Sequence, residues 1–435
     1  MTGSNDDEVR AQYEAYPYPE RDPADEARRL ITGSPSHIDE VNHYVFGGRL
    51  DFARPLRVLV AGGGTGDGTI MLAQQLAWRG SPAEIVYLDV SKTAMEVARA
   101  RAEARGLENV RFLHGSLLDL AAIDPGPFDY IDCCGVLHHL DDPRAGLDVL
   151  AGAVAEGGGI GLMLYGELGR TGVYQVQRML RMIAGDDDDD RARLARARRL
   201  YRALPETNWL RRNPHVGDHL DGGDAGLYDL LLHGRDRAYT VPEIAAMAAA
   251  AGLAITGFVE PALYDPASYH SDDEIGQAVS GLSWIERCAF AELLSGALKR
   301  HVFYVVKKER TGDAVARPDG AQAVPVLRDA DGPAMARKLA KGGRIKADLA
   351  GVKVSRPVPP LTAAILAHVD GERSLSEIHR LVARRQPGLD WIAFKAAFDA
   401  LYAALNAFNV MLIARAPGVT SPPLPRRPRR GGRRV

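Results

Sequence analysis

Cysteine is scarce in this 435-residue chain: Cys133, Cys134 and Cys288 are the only three, and none has the C-x-x-C spacing of a structural zinc site. That excludes a disulfide framework and leads us to expect a reducing, cytoplasmic setting. Long apolar runs are missing too. No stretch approaches the roughly 20 residues a membrane span needs, and the polar, acidic start Met1–Glu8 does not resemble a signal peptide, so no membrane partner is expected. There is no excess of one charge either: 54 Lys and Arg against 56 Asp and Glu leave a net −2. No global field therefore draws the chain to nucleic acid, which is not the expected partner. No internal repeat is present. What the chain does have is length. Single cores seldom grow beyond roughly 250–300 residues, so two or more domains are expected.

From Leu56 onward, short β-branched runs alternate with Ala- and Leu-rich amphipathic stretches, the pattern of an α/β, Rossmann-like doubly wound sheet. Strands are expected at Arg57–Val60, Glu84–Leu88, Val110–Leu113, Phe128–Cys133 and Gly159–Tyr165. Helices are expected from Gly68, at Lys92–Arg105 and at Arg144–Val154. A helix at Val241–Ala251, a strand at Ile255–Val259, a helix at Ile285–Lys299 and a terminal antiparallel strand at His301–Val306 would close a core spanning 51–308. An N-terminal helical arm or lid, 1–50, precedes it. A helical insertion at about 169–240 falls at the carboxyl edge of the sheet, where α/β enzymes build substrate pockets; its acidic run Asp186–Asp190 reads as a solvated loop. The Gly-, Pro- and Asp-rich segment 309–333 reads as a linker, 334–416 as a small α+β module, and 417–435, rich in Arg and Pro, as a disordered tail.

The turn Ala61-Gly62-Gly63-Gly64-Thr65-Gly66, between the first strand and the first helix, lets backbone amides come close to a ligand. The dinucleotide fingerprint G-x-G-x-x-G fails in each register, because its third glycine would fall on Asp67 or Thr69. A nicotinamide-dependent oxidoreductase is therefore disfavoured. Gly62, Gly64 and Gly66 fit G-x-G-x-G instead. Together with Asp89 at the end of the second strand and the segment Asp132–Leu140 after the fourth, they make the stretch Leu56–Lys308 resemble the class I S-adenosylmethionine-dependent methyltransferases. The resemblance implies S-adenosylmethionine as cofactor, cradled by Ala61, Gly62, Gly63, Gly64 and Gly66. It implies that Asp89 binds the ribose hydroxyls, that Val90, Ser116 and Leu117 flank the adenine, and that Cys134 and Gly135 line the methionine part. One residue departs from the pattern. The family commonly carries Asp or Glu two residues before the first glycine, orienting the cofactor's ammonium group, and this chain has Val60; the resemblance then implies either weaker cofactor binding or backbone carbonyls near Gly62 and Cys134 holding the ammonium.

Methyl transfer is an in-line displacement, so the enzyme needs alignment first and a base only where the nucleophile arrives protonated. His138 and His139 are the candidate bases, with loop packing as the alternative role, and Tyr165 stands at the same edge. The aromatic run Gln12–Pro19 resembles the lid of a bacterial methyltransferase subgroup, which makes Tyr13 and Tyr18 candidate substrate contacts. His233, Asp236 and Tyr239 resemble acceptor-facing positions of the same subgroup. No metal is expected, His215, His219 and His233 forming at most a weak set. In the second domain, Leu361–Ile378 contains a capping box at Ser374 and Glu377 and resembles the winged-helix module of the pyrroloquinoline-quinone peptide chaperone. The expected function is methyl transfer to an N or O nucleophile on a peptide or protein. The alternatives are a small-molecule methyltransferase and a non-catalytic S-adenosylmethionine-binding regulator.

Overall fold

The computed structural model describes residues 14–185, 189–349 and 351–415. Tyr13, most of the acidic run and the arginine-rich tail lie outside the described residues. Seven strands form the central sheet: β1 (Leu56–Ala61), β2 (Ala83–Asp89), β3 (Val110–His114), β4 (Phe128–Cys134), β5 (Val154–Tyr165), β6 (Leu253–Phe258) and β7 (Arg300–Lys307). Their order is β3-β2-β1-β4-β5-β7-β6, with β7 antiparallel to both β5 and β6. The doubly wound α/β expectation holds, as does the antiparallel strand near its end. Strands such as Leu-Arg-Val-Leu-Val-Ala are apolar almost throughout because both faces of the sheet are covered. Strand order reverses between β1 and β4, so the loops leaving β1, β2 and β4 open onto one crevice at the carboxyl edge.

The covering helices are α1 (Ile38–Tyr44), α2 (Asp67–Trp78), α3 (Lys92–Ala104), α4 (Pro143–Ala153), α5 (Val173–Met182), α6 (Asp190–Ala203), α7 (Val241–Ala250) and α8 (Trp284–Ser295). Their starts follow the local chemistry. Ser91 accepts from the Ala94 N–H at 3.1 Å to cap α3, and Asp142 accepts from Arg144 and Ala145 ahead of Pro143 in α4. One end was misjudged from the sequence. The helix expected to reach Lys299 stops at Ser295, because Gly296 adopts φ +61° and ends it. The insertion, carrying α5 and α6, has its own apolar core around Val173, Val176, Leu194, Leu210 and Leu231.

The expected linker is also corrected. Within 309–333 the structure forms β8 (Ala323–Leu327), which pairs antiparallel with β11 (Met411–Arg415). Ala314 and Ala316 are buried, and their backbones bond to Gly47 and His43. A Gly- and Asp-rich composition suggested a free spacer, but the apolar run around Val324 found a partner about ninety residues on. Between these strands come α9 (Gly332–Leu339), the hairpin β9 (Arg344–Leu349) and β10 (Val352–Pro357), the short helix Thr362–Leu366, α10 (Leu375–Ala383) and α11 (Trp391–Asn406). Ser374 and Glu377 form the capping box of α10.

This second unit is joined to the core through Glu40 on α1, which is fully buried. Its Oε1 accepts from Ser34 Oγ at 2.9 Å and Asn409 Nδ2 at 2.8 Å and pairs with Arg328 Nη1 at 2.6 Å; its Oε2 accepts from Tyr304 Oη at 2.7 Å. Glu40→Gln would turn an amide NH₂ toward these donors. We expect it to cost about 3–5 kcal/mol, the range for breaking a buried charged network, read as a lowered urea midpoint. An unchanged midpoint would refute the role of this carboxylate as the joint.

Candidate functional site

The glycine turn leaves β1 with positive φ at Gly62, Gly64 and Gly66. Gly62 has no room for a side chain, since a Cβ there would lie 2.2 Å from Val136 Cγ2. The turn is tied to β2 by its backbone: Gly62 N–H donates to the Leu88 carbonyl at 2.8 Å and Gly64 N–H to Asp89 Oδ2 at 2.8 Å. Asp89 Oδ1 accepts from Ser91 N–H at 2.8 Å, so backbone donors fix the carboxylate at the cleft. Burial raises its pKa against those bonds. A carboxylate with lone pairs to spare at a helix-bordered cleft fits a vicinal diol, and the glycine turn beside it fits a close-lying ligand. Both features suit the cofactor expected from the sequence.

Val90 is half-buried beside Asp89, and its carbonyl lies 3.0 Å from His114 Nε2. Ser116 spends its hydroxyl on a local cap, accepting from Leu118 N–H at 3.2 Å. Leu117 and Ala61 are buried in the main core, which leaves only their backbones for a ligand. Cys134 is exposed at the carboxyl end of β4, followed by Gly135 at φ +80°.

The N-terminal arm crosses this turn. Pro19 O accepts from Thr65 Oγ1 at 2.7 Å, and Arg21 grips Asp67 through two bonds of 2.9 and 2.6 Å. Buried Arg101 holds both Glu26 and Asp67 at 2.7 Å. Farther out, Glu14 accepts from the N–H groups of Lys92 and Thr93 at the start of α3, and Tyr16 stacks on Tyr228. Burial, with Asp218 and Asp229 nearby, pushes the Tyr18 phenol up to about 12.

Beyond the β4 loop lies a buried cluster. His138 stacks on Tyr165 at 3.9 Å, His139 lies 4.2 Å from His138, and His233 stacks on His139 at 4.0 Å. Three residues separated widely in the sequence are thus brought together with their neighbour. Of the polar frame around them, sequence reasoning named Asp236 and missed Arg170, Gln177 and Asp229. Arg170 lies 3.7 Å over the Tyr165 ring and pairs with Asp236 at 2.8 Å, Gln177 Nε2 also bonds Asp236, and Tyr165 Oη donates to Asp229 Oδ2 at 3.2 Å. Asp229 sits on a π-helical turn, Tyr228–Leu232, a geometry that concentrates at functional sites. Tyr239 does not join the cluster. Its backbone pairs with Tyr165 and Glu167, while its ring lies under Arg237 in the main core.

Burial pushes His139 down to about 4 and His138 and His233 well below the ordinary imidazole range, so all three are neutral at pH 7. Burial also lifts Asp229 to about 6. The His139 ring nitrogen Nδ1 faces the Arg235 carbonyl at 2.9 Å and therefore carries the proton, leaving Nε2 as the acceptor. His233 is the reverse: its Nδ1 accepts from Arg235 N–H at 3.0 Å. His139, Asp229 and His233 bring one ligand atom each within 4.8 Å of one another, a set that could hold a metal ion. The tautomer of His233 and the Arg170 cation beside the ring stack favour a hydrogen-bonded cluster instead. Of the weak set considered from the sequence, His219 meets Tyr201 edge-on at 4.4 Å and His215 abuts Gly351, neither grouped with His233 among the described residues.

Two expectations follow from the turn and its surroundings. A Cβ at Gly63 would meet Tyr87 Cε2 at 2.2 Å, and Tyr87 Oη donates to the Gly64 carbonyl at 2.8 Å. Gly63→Ala is therefore expected to cost about 1–3 kcal/mol by overpacking, and Tyr87→Leu in the same chain to recover most of it; an additive pair in a denaturant double-mutant cycle would refute the contact. Asp132, at 1% exposure, has its carboxyl pushed up to about 7 by burial, partly opposed by the Ser36 hydroxyl. A raised folded pKa favours the folded state below that pH, and the contribution is lost as pH rises through about 7. The melting temperature of the wild type relative to Asp132→Asn should thus fall between about pH 4 and about pH 7 and level off above that, whereas parallel curves would mean an ordinary carboxyl.

Comparison with known proteins agrees with this geometry. A family profile described as a methyltransferase domain matches residues 59–160. The uncharacterized protein syc1184_c of Synechococcus sp. is 31% identical over 307 residues, 68% of this chain and 70% of that one. The tRNA 5-carboxymethoxyuridine methyltransferase of Escherichia coli is 34% identical over 134 residues, 31% of this chain and only 46% of that enzyme. Among solved structures, PKMT2 from Rickettsia typhi in complex with AdoHcy shares the fold over 88% of this chain and 75% of its own, with a TM-score of 0.60 at 15% identity.

Proposed function

Because this chain belongs to the class I S-adenosylmethionine-dependent methyltransferases, we propose that it methylates a nitrogen or oxygen nucleophile that enters the buried histidine cluster uncharged, on a peptide or protein. The cluster carries this reading: three neutral imidazoles, Tyr165 and Asp229 gathered beside the loop that follows β4. When bound, S-adenosylmethionine supplies an electrophilic methyl group on a sulfonium sulfur. The chain has then to align the nucleophile and exclude water. The contacts to the cofactor are assigned to the glycine turn, Asp89, Val90, the backbone at Ser116, and Cys134 with Gly135.

His139 is assigned the proton. Its Nε2 is the accepting nitrogen, but an imidazole lowered to about 4 cannot deprotonate an ammonium ion. It can take a proton from a nucleophile that turns acidic as the new bond forms, and this is why the acceptor has to arrive neutral. Tyr18 and the arm are assigned to closing the site, and His138 and Tyr165 to walling it. The preference for a peptide or protein is supported by the second unit, whose Leu361–Ile378 segment resembles a peptide-binding winged helix. The depth of the cluster favours a second reading, a small-molecule acceptor.

Incubation with methyl-labelled cofactor and cell extract separates these. Label in the protein fraction is expected, label confined to small metabolites would favour the second reading, and no transfer at all would overturn both. With an acceptor in hand, His139→Gln is expected to lower kcat roughly 10²-fold, with S-adenosylhomocysteine affinity unchanged; full activity would remove His139 from the chemistry.

A further inference from the structure

A bound amino-acid tail brings a positive ammonium into the cleft, and position 60, directly before the glycine turn, offers it only a valine. The sheet has a second place for a carboxylate. β1 and β4 run parallel with Val60 paired to Asp132, and paired residues on neighbouring strands project to the same face. Asp132 therefore leaves the sheet beside the Val60 side chain, one strand over.

What surrounds it is unusual for a structural aspartate. Asp132 is 1% exposed, and no Lys or Arg pairs with it among the described residues. Oδ2 accepts from Ser36 Oγ at 2.6 Å, whereas Oδ1 has no hydrogen-bond partner among the described residues. It lies under the start of α2: a Cβ at Gly68 would come within 3.4 Å of Oδ2. Two residues on, Cys134 is exposed at the cleft. A buried carboxylate with an unpartnered oxygen is costly unless a cation is brought to it. Burial has pushed this one up to about 7, and a neighbouring cation is what restores such a group to its charged form.

We propose that Asp132 is the counter-charge for the ammonium group of the cofactor's amino-acid end, standing in from β4 for the carboxylate that position 60 lacks. The proposal rests on S-adenosylmethionine being the cofactor, and the test separates the two. Asp132→Asn keeps the shape and the Ser36 partner. Calorimetric titration compares S-adenosylhomocysteine, which carries the ammonium, with 5′-methylthioadenosine, which lacks the whole amino-acid part. The variant is expected to bind S-adenosylhomocysteine about tenfold or more weakly, one pKa unit's worth of charge interaction, and 5′-methylthioadenosine within about twofold of wild type. In a second variant, Val60→Asp combined with Asp132→Asn, returning the carboxylate to β1 should recover most of the lost affinity, which a merely structural aspartate would not permit. Equal losses for both ligands, or no loss for either, would overturn the proposal. Wild-type protein that bound neither nucleoside would instead bring down the cofactor assignment, and this proposal with it.

Discussion

The buried carboxylate of Glu40 is the constraint on which the rest of the molecule leans. A carboxyl at zero exposure has to be matched, and its partners come from four places: the loop before α1, β7, the segment after β8 and the turn before β11. Tyr304, which bonds Glu40, also donates to the Pro35 carbonyl, as does Tyr130 on β4. The same node therefore sets the path of residues 34–37, and with it the position of Ser36 against Asp132. A joint made for stability reaches the floor of the cleft in three steps.

The parts of the site legible in the sequence were those whose chemistry is local. The glycine turn reads directly because Gly62 and Gly64 need positive φ, and Asp89 because a strand ending in a carboxylate before a capped helix spans only three residues. His138 and His139 read for the same reason. Arg170 and Gln177 did not, since their pairing with Asp236 spans about sixty residues and involves an insertion whose packing no periodicity reveals. The place of Asp132 depends on strand order, which only the register of β1 against β4 discloses. Tyr239 meets Tyr165 and Glu167 through its backbone, a pairing that only the strand geometry discloses.

The expected linker failed for a related reason. Composition registers the Gly and Asp that make chain flexible, but pairing of β8 with β11 is a contact between segments far apart. The two units share the Glu40 carboxylate and the His43 contact with Ile413, and so behave as one folded body where composition suggested two beads on a string.

The arm over the glycine turn is held very differently along its length. Near Glu26 it is anchored by fully buried Arg101, while toward Glu14 it is fastened by one partly exposed carboxylate to the backbone amides of Lys92 and Thr93 and the Thr93 hydroxyl. Dissolved salt screens exposed charges far more than buried ones. Ionic strength therefore loosens the outer end and spares the inner one, so the strap swings from its buckle without coming away. At high salt the outer end of the strap would open first, and the turn beneath it would keep its shape.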